Sequence, residues 1–124
     1  MRTTEKNKIL MVDDDEAIRD CIAELLSMAG YTVTLSSDGS ESLRIFEIEP
    51  FDLVITDIMM PGTDGLGAMI KMRSIDPEIK ILAISGADMK EELLHAAGFV
   101  GAMSTLQKPF SNDELLKTIA GLLG

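Results

Sequence analysis

The chain has no tryptophan, one tyrosine and a single cysteine among its 124 residues. One cysteine has no partner for an intramolecular disulfide, so the fold must rest on a hydrophobic core, and Cys21 suits a reducing, cytosolic setting. Aromatic residues make up only 4% of the chain, which serves ring stacking on a flavin poorly. No apolar run approaches the roughly 18 residues of a membrane-spanning helix. The opening stretch from Met1 to Asp15 meets its acids too soon to form the apolar core of a signal peptide. Positive charge is scarce as well. Eleven bases face 21 acids for a formal charge of −10, which repels nucleic acid and anionic membranes, so direct nucleic-acid binding is not expected.

What is present is a chain 46% hydrophobic and 26% charged, of ordinary single-domain length. At this size folding buries roughly two thirds of the unfolded surface, enough for a core without staples. The expectation is one domain over residues 1–124, with 1–7 as a polar tail and no second folded effector domain.

Apolar runs at Ile9 to Val12, Leu53 to Ile55 and Ile81 to Ile84 are short, continuous and bounded by polar residues, the pattern of strands buried on both faces. Tyr31 to Leu35 alternates and Ala102 to Leu106 mixes apolar with polar, which places these two strands at sheet edges. Helical spacing fills the intervals. Ile18, Cys21, Ile22, Leu25, Leu26 and Ala29 form one apolar stripe, stopped by Gly30. Further helices are expected over Ser40 to Ile48, Leu66 to Ile75, Met89 to Ala97 and Asn112 to Leu123. Five strands alternating with five helices predict an α/β fold with a parallel sheet covered on both faces. With the second and fifth strands at the edges, the order is 2-1-3-4-5, that of the flavodoxin-like doubly wound fold, whose ligands lie beyond the carboxyl ends of the strands.

Those carboxyl ends carry Asp13 and Asp14, then Asp57, then Ser85, then Lys108. Three converging carboxylates repel one another and call for a cation, and an all-oxygen ligand set suits a hard ion such as Mg²⁺. Lys108 adds a point positive charge and Ser85 a hydroxyl donor for an anionic group beside the metal, most simply a phosphoryl. A carboxylate can accept that group covalently as an aspartyl phosphate.

Val12-Asp13-Asp14, Thr56-Asp57-Ile58-Met59-Met60-Pro61-Gly62, Ile84-Ser85-Gly86 and Lys108-Pro109-Phe110, in this order, resemble the receiver domain of two-component response regulators, of the chemotaxis-regulator-like kind. The resemblance runs from about Lys8 to Leu123 and includes Gly101-Ala102 before the lysine. It implies Asp57 as the phosphoacceptor, Asp14 as a direct metal ligand and Asp13 as one acting through water, with the Met59 backbone carbonyl completing the protein ligands to Mg²⁺. It also implies that Ser85 and Lys108 hold phosphoryl oxygens and that the Lys108-Pro109 bond is cis. The implied partners are a sensor histidine kinase or histidine phosphotransfer protein and an output protein whose identity the residues do not name, with the chain a monomer or weak homodimer. Such a receiver is an autocatalytic phosphoacceptor in a cytoplasmic phosphorelay, not a turnover enzyme. The alternative is a phosphorylation-independent interaction module of the same fold, against which the intact acids, serine and lysine argue.

Other polar residues have plainer readings. Asp15 is assigned to capping the first helix, and Asp38 and Asp64 to turns or caps. Pro61 to Gly67 is glycine-rich but matches neither a P-loop nor a dinucleotide fingerprint, so it reads as a loop. His95 is an ordinary helix residue, Cys21 a small buried hydrophobe, and the nine methionines mainly core filler. Thr105 departs from the family, since many receivers have an aromatic residue there whose rotamer reports phosphorylation, and a threonine has no comparable swing.

Met59 and Ala87 stand where the family flanks the path of a hydrolytic water, and neither side chain can orient one. The aspartyl phosphate should therefore be long-lived. Following loss of the phosphorylated species by mass after donor removal checks this, and decay as fast as in rapid chemotaxis-type receivers would contradict it.

Overall fold

The computed structural model describes residues 7–58, 65–86 and 104–124. In chain order these form β1 (Lys8–Val12), α1 (Glu16–Met28), β2 (Thr32–Ser36), α2 (Gly39–Ile48), β3 (Leu53–Asp57), α3 (Gly65–Ile75), β4 (Lys80–Ser85), β5 (Ser104–Gln107) and α4 (Asn112–Leu123). All five strands are parallel, in the order β2-β1-β3-β4-β5, as the sequence pattern predicts. The predicted helix over Met89 to Ala97 lies outside the described residues, as do His95, Asp64, Ala87 and Met59.

The continuous apolar runs have a direct physical cause. Side chains alternate between the two sheet faces, and both faces are covered. Ile9, Met11, Leu53, Ile55, Leu82 and Ile84 pack on Ile22 and Leu26 of α1 and on Leu115 and Ile119 of α4. Leu10, Val12, Val54, Ile81 and Ala83 face the other way, onto Phe46 of α2 and Met69 and Met72 of α3. The edge strands β2 and β5 are only partly buried.

Helix ends follow from local chemistry. Asp15 caps α1, its carboxylate accepting from the N–H groups of Ala17 and Ile18 at 3.0 and 3.2 Å. At the other end Gly30 has φ +99°, and the N–H groups of Gly30 and Tyr31 donate to the carbonyls of Ser27 and Leu26. This is the glycine-dependent helix stop expected there. The stripe of α1 is narrower than expected. Ile22 and Leu26 are buried, whereas Cys21 and Ala29 are exposed. Cys21 lies about 100° around the helix from Ile22, so it falls on a flank that the sheet does not cover. The methionine expectation holds for Met11, Met69 and Met72 but not for Met28, which is 81% exposed.

Asp38 caps α2 by accepting from the N–H of Glu41 at 2.7 Å, and the Glu41 carboxylate reaches back to the Ser37 N–H and the Ser36 hydroxyl, each at 3.0 Å. These bonds, led by the Ser37 N–H, hold the Glu41 carboxyl below its ordinary value of 4.5. Replacing Asp38 with alanine should cost about 1 kcal/mol of unfolding free energy in a urea melt. A depressed carboxylate stabilises above its unfolded pKa and loses that effect as pH falls through the folded value. Glu41→Gln should accordingly destabilise at neutral pH, with the gap to the parent chain closing in acid below pH 4.5.

Candidate functional site

The parallel topology sends the carboxyl ends of β1, β3, β4 and β5 to one rim. Asp13 follows β1 directly, Asp57 and Ser85 are the last residues of β3 and β4, and Lys108 follows β5 directly. Register then sets the spacing. Asp57 pairs with Ile84, one residue before Ser85, and Ser85 pairs with Gln107, one residue before Lys108. The Lys108 N–H donates to the Ser85 carbonyl at 2.8 Å, continuing the ladder past the end of β5. The Lys108-Pro109 peptide bond is cis, as the sequence reading expects.

The Lys108 ammonium donates to Asp57 Oδ2 at 2.9 Å and lies 3.5 Å from Asp13 Oδ2. Asp13, Asp14 and Asp57 each offer a carboxylate oxygen within 4.8 Å of the others. Asp13 is fully buried and Asp57 nearly so, whereas Asp14 is exposed and opens the cluster to solvent. Burial raises the Asp13 carboxyl above its ordinary value, against the opposing pull of the Asp15 N–H and the Lys108 charge. Burial also works against the Lys108 charge, but the hydrogen bond and charge of Asp57, with Asp13 behind it, outweigh that effect and raise the ammonium.

Two details extend the sequence reading. Arg19 donates through Nη1 to the Asp13 carbonyl at 2.8 Å, and the Asp15 N–H donates to Asp13 Oδ1 at 2.9 Å, so Asp13 is held at both backbone and side chain. Only helical periodicity, which returns Arg19 to the start of α1, hints at that contact in the sequence. The second detail is Ser85. Its hydroxyl is buried and has no hydrogen-bond partner among the described residues. An unpaired buried hydroxyl costs about 1–3 kcal/mol, a cost that an arriving oxyanion would remove.

The residues present therefore fit both groups that the rim calls for. Three carboxylates in reach of one point are a hard-cation donor set. A lysine and a buried hydroxyl that has no partner among the described residues are donors for an anion beside it. An open apolar groove of about 640 Å³ adjoins this rim, lined by Ala17, Ile18, Cys21, Ile22, Lys108, Pro109 and Phe110.

Comparison with known proteins agrees with this geometry. Residues 9–120 match the family described as response regulator receiver domain. Over 117 residues the chain is 39% identical to the response regulator MprA of Mycolicibacterium vanbaalenii, an alignment covering 94% of this chain and 50% of that protein. The same identity and coverage hold for MprA of Mycobacterium leprae, so the chain spans about half the length of these curated relatives. Among solved structures, Vibrio cholerae chemotaxis protein CheY4 superposes with a TM-score of 0.89 at 32% identity, covering 96% of this chain and all (100%) of that one. A CheY-like receiver domain protein from Methanospirillum hungatei gives 0.90 at 30% identity, with 96% and 94% covered.

Burial, with the Asp57 charge adding to it, raises the Asp13 carboxyl and so disfavours its charged form in the metal-free protein. Asp13→Asn keeps an oxygen for the Asp15 N–H and removes one negative charge. It should raise the metal-free melting temperature by a few degrees, on the order of 0.5–2 kcal/mol, by calorimetry in chelator. A fall in melting temperature would mean that the Lys108 contact outweighs the crowding.

Proposed function

Because the chain belongs to the response regulator receiver domain family, we propose that it accepts a phosphoryl group on the Asp57 carboxylate from a phosphohistidine of a sensor kinase or histidine phosphotransfer protein. The observation that carries this reading is the pairing of two groups across Asp57. Lys108 sits 2.9 Å from its carboxylate, and the Ser85 hydroxyl on the adjacent strand is buried without a partner among the described residues.

In this reading an Asp57 carboxylate oxygen attacks phosphorus, a new O–P bond forms, and the N–P bond of the donor breaks with its electron pair leaving on the imidazole. Lys108 exchanges part of its contact with Asp57 for a phosphoryl oxygen, and Ser85 donates to another. Asp13 and Asp14 with Asp57 and the Met59 carbonyl would hold Mg²⁺, which supplies neutralisation of charge on the transferring oxygens. Arg19 and the Asp15 N–H keep Asp13 aimed while the exposed Asp14 completes the open side. The apolar groove beside Lys108 gives the donor protein a surface to seat on while its histidine reaches the rim. Loss of the Lys108–Asp57 contact on phosphorylation then changes what the receiver binds.

Intact mass after incubation with Mg²⁺ and acetyl phosphate tests the chemistry. A single phosphoryl adduct is expected on the parent chain, none on Asp57→Asn, and none in chelator. Mg²⁺ at about 100 times its dissociation constant should also add roughly 2.7 kcal/mol of stability, an effect that Asp13→Asn largely removes. No adduct under conditions that label a control receiver would favour a phosphorylation-independent binding module.

A further inference from the structure

Parallel strands place the carboxyl ends of the helices at the rim opposite Asp57. Between the ends of α2 and α3 lies a cleft of about 260 Å³, lined by Phe46, Glu47, Ile48, Glu49, Pro50, Phe51, Ile75 and Asp76. Its floor is aromatic, with the rings of Phe46 and Phe51 stacked at 6.4 Å between centroids. Its lip is apolar and open, since Ile48 is 81% and Ile75 46% exposed.

Local physics does not explain the last turn of α2. A helix carboxyl end carries partial negative charge and favours cations. This one has no basic residue in its last turn and carries Glu47 in that turn and Glu49 as its cap, beside a large exposed isoleucine. Lys8 offsets Glu49, at 3.2 Å, and lies over the Phe51 ring. Among the described residues, neither Glu47 nor Asp76 is in an ion pair. Asp76 follows α3, which has Arg73 in its last turn, and its carboxylate accepts from the Glu78 N–H at 3.0 Å, whereas Glu47 stands at a helix carboxyl end with no basic residue in its turn. Such a conflict between local preference and sequence marks a surface with a task.

We infer that this cleft docks a cationic, apolar segment of a partner protein, with a lysine or arginine set between Glu47 and Asp76 and an apolar side chain covering Ile48 and Ile75. A cation there meets the uncompensated carboxyl end of α2 and two acids that are in no ion pair among the described residues, and its aliphatic stem lies on the apolar lip. Charge excludes the other occupants. Nucleic acid and anionic membrane are repelled by the acids, and a second copy across a two-fold axis would set Glu47 and Asp76 against the same acids.

The test is a ¹⁵N NMR titration of the whole chain, at physiological salt, with a short leucine–arginine peptide. Leucine–glutamate and leucine–serine peptides of the same pattern are the controls. The arginine peptide should shift amides at Phe46 to Glu49, Phe51, Ile75 and Asp76, and the controls should not. Glu47→Lys should weaken that binding roughly five- to tenfold. The same variant should raise the melting temperature by roughly 1–5 °C, because it repairs the helix end. A better-folded variant that binds worse is the signature of a surface kept for a partner. Shifts centred on the Asp57 rim with the cleft silent, equal binding of the glutamate peptide, or unchanged affinity in Glu47→Lys would each overturn the inference. So would a concentration-dependent dimer in sedimentation that Ile48→Asp dissolves, which would assign the face to a second copy.

Discussion

The contact of the Lys108 ammonium with Asp57 and Asp13 joins positions 51 and 95 residues apart in the chain, and the functional rim is organised around it. Two buried carboxylates on adjacent strands would repel each other at about 1 kcal/mol or more in a partly screened interior without a cation between them. Lysine is suited to this task because its charge is compact and its stem flexible, so it can move from carboxylate to another anion with little rearrangement of its backbone. The backbone of Lys108 is itself fixed by the bond to the Ser85 carbonyl. A fixed backbone and a flexible stem suit one residue to hold both carboxylates and, in the proposed function, to exchange onto a phosphoryl oxygen.

That arrangement depends on the sheet being parallel and buried on both faces. Only then do the strands all end at the same rim, and only then does a one-residue step in register carry Asp57 to Ser85 and Ser85 to Lys108. The apolar runs that build the two cores therefore also place the polar residues that follow them. Leu53 to Ile55 divide between opposite cores, and the two residues after them, Thr56 and Asp57, are still buried as the strand runs out toward solvent.

This coupling explains what was legible from residues alone. Strands buried on both faces leave an unbroken apolar signature, so β1, β3 and β4 were readable with their order, and the acids after them could be placed on one rim. The span Asn112 to Leu123 was readable from its helical apolar spacing, and the reciprocal cap bonds of Ser111 and Glu114 fix its start in the structure. Cys21 was misread because periodicity reports which residues share a helix face, not how wide a face the sheet covers. Its neighbour Ile22 points at the sheet, and one residue of rotation puts Cys21 on the open groove. Arg19 was missed for a different reason. Its hydrogen bond goes to a backbone carbonyl, which every residue has, so no side-chain pairing announces it.

The two rims show how differently a sequence records chemistry at the two ends of one sheet. At the carboxyl rim the informative residues follow apolar strands, where acids, a serine and a lysine contradict the burial around them and so stand out. At the opposite rim the informative residues end amphipathic helices, where acids and an exposed isoleucine blend with ordinary solvated surface. They become conspicuous only when helix polarity is added, since Glu47 is unremarkable on a helix face and unfavourable at a helix carboxyl end. Asp38 and Glu41 at the amino end of the same helix suit the dipole, Asp38 accepting from the Glu41 N–H and Glu41 from the Ser37 N–H and the Ser36 hydroxyl. A helix whose amino end is well capped and whose carboxyl end carries the wrong charge has not drifted in composition as a whole. The departure is confined to the end that faces the cleft.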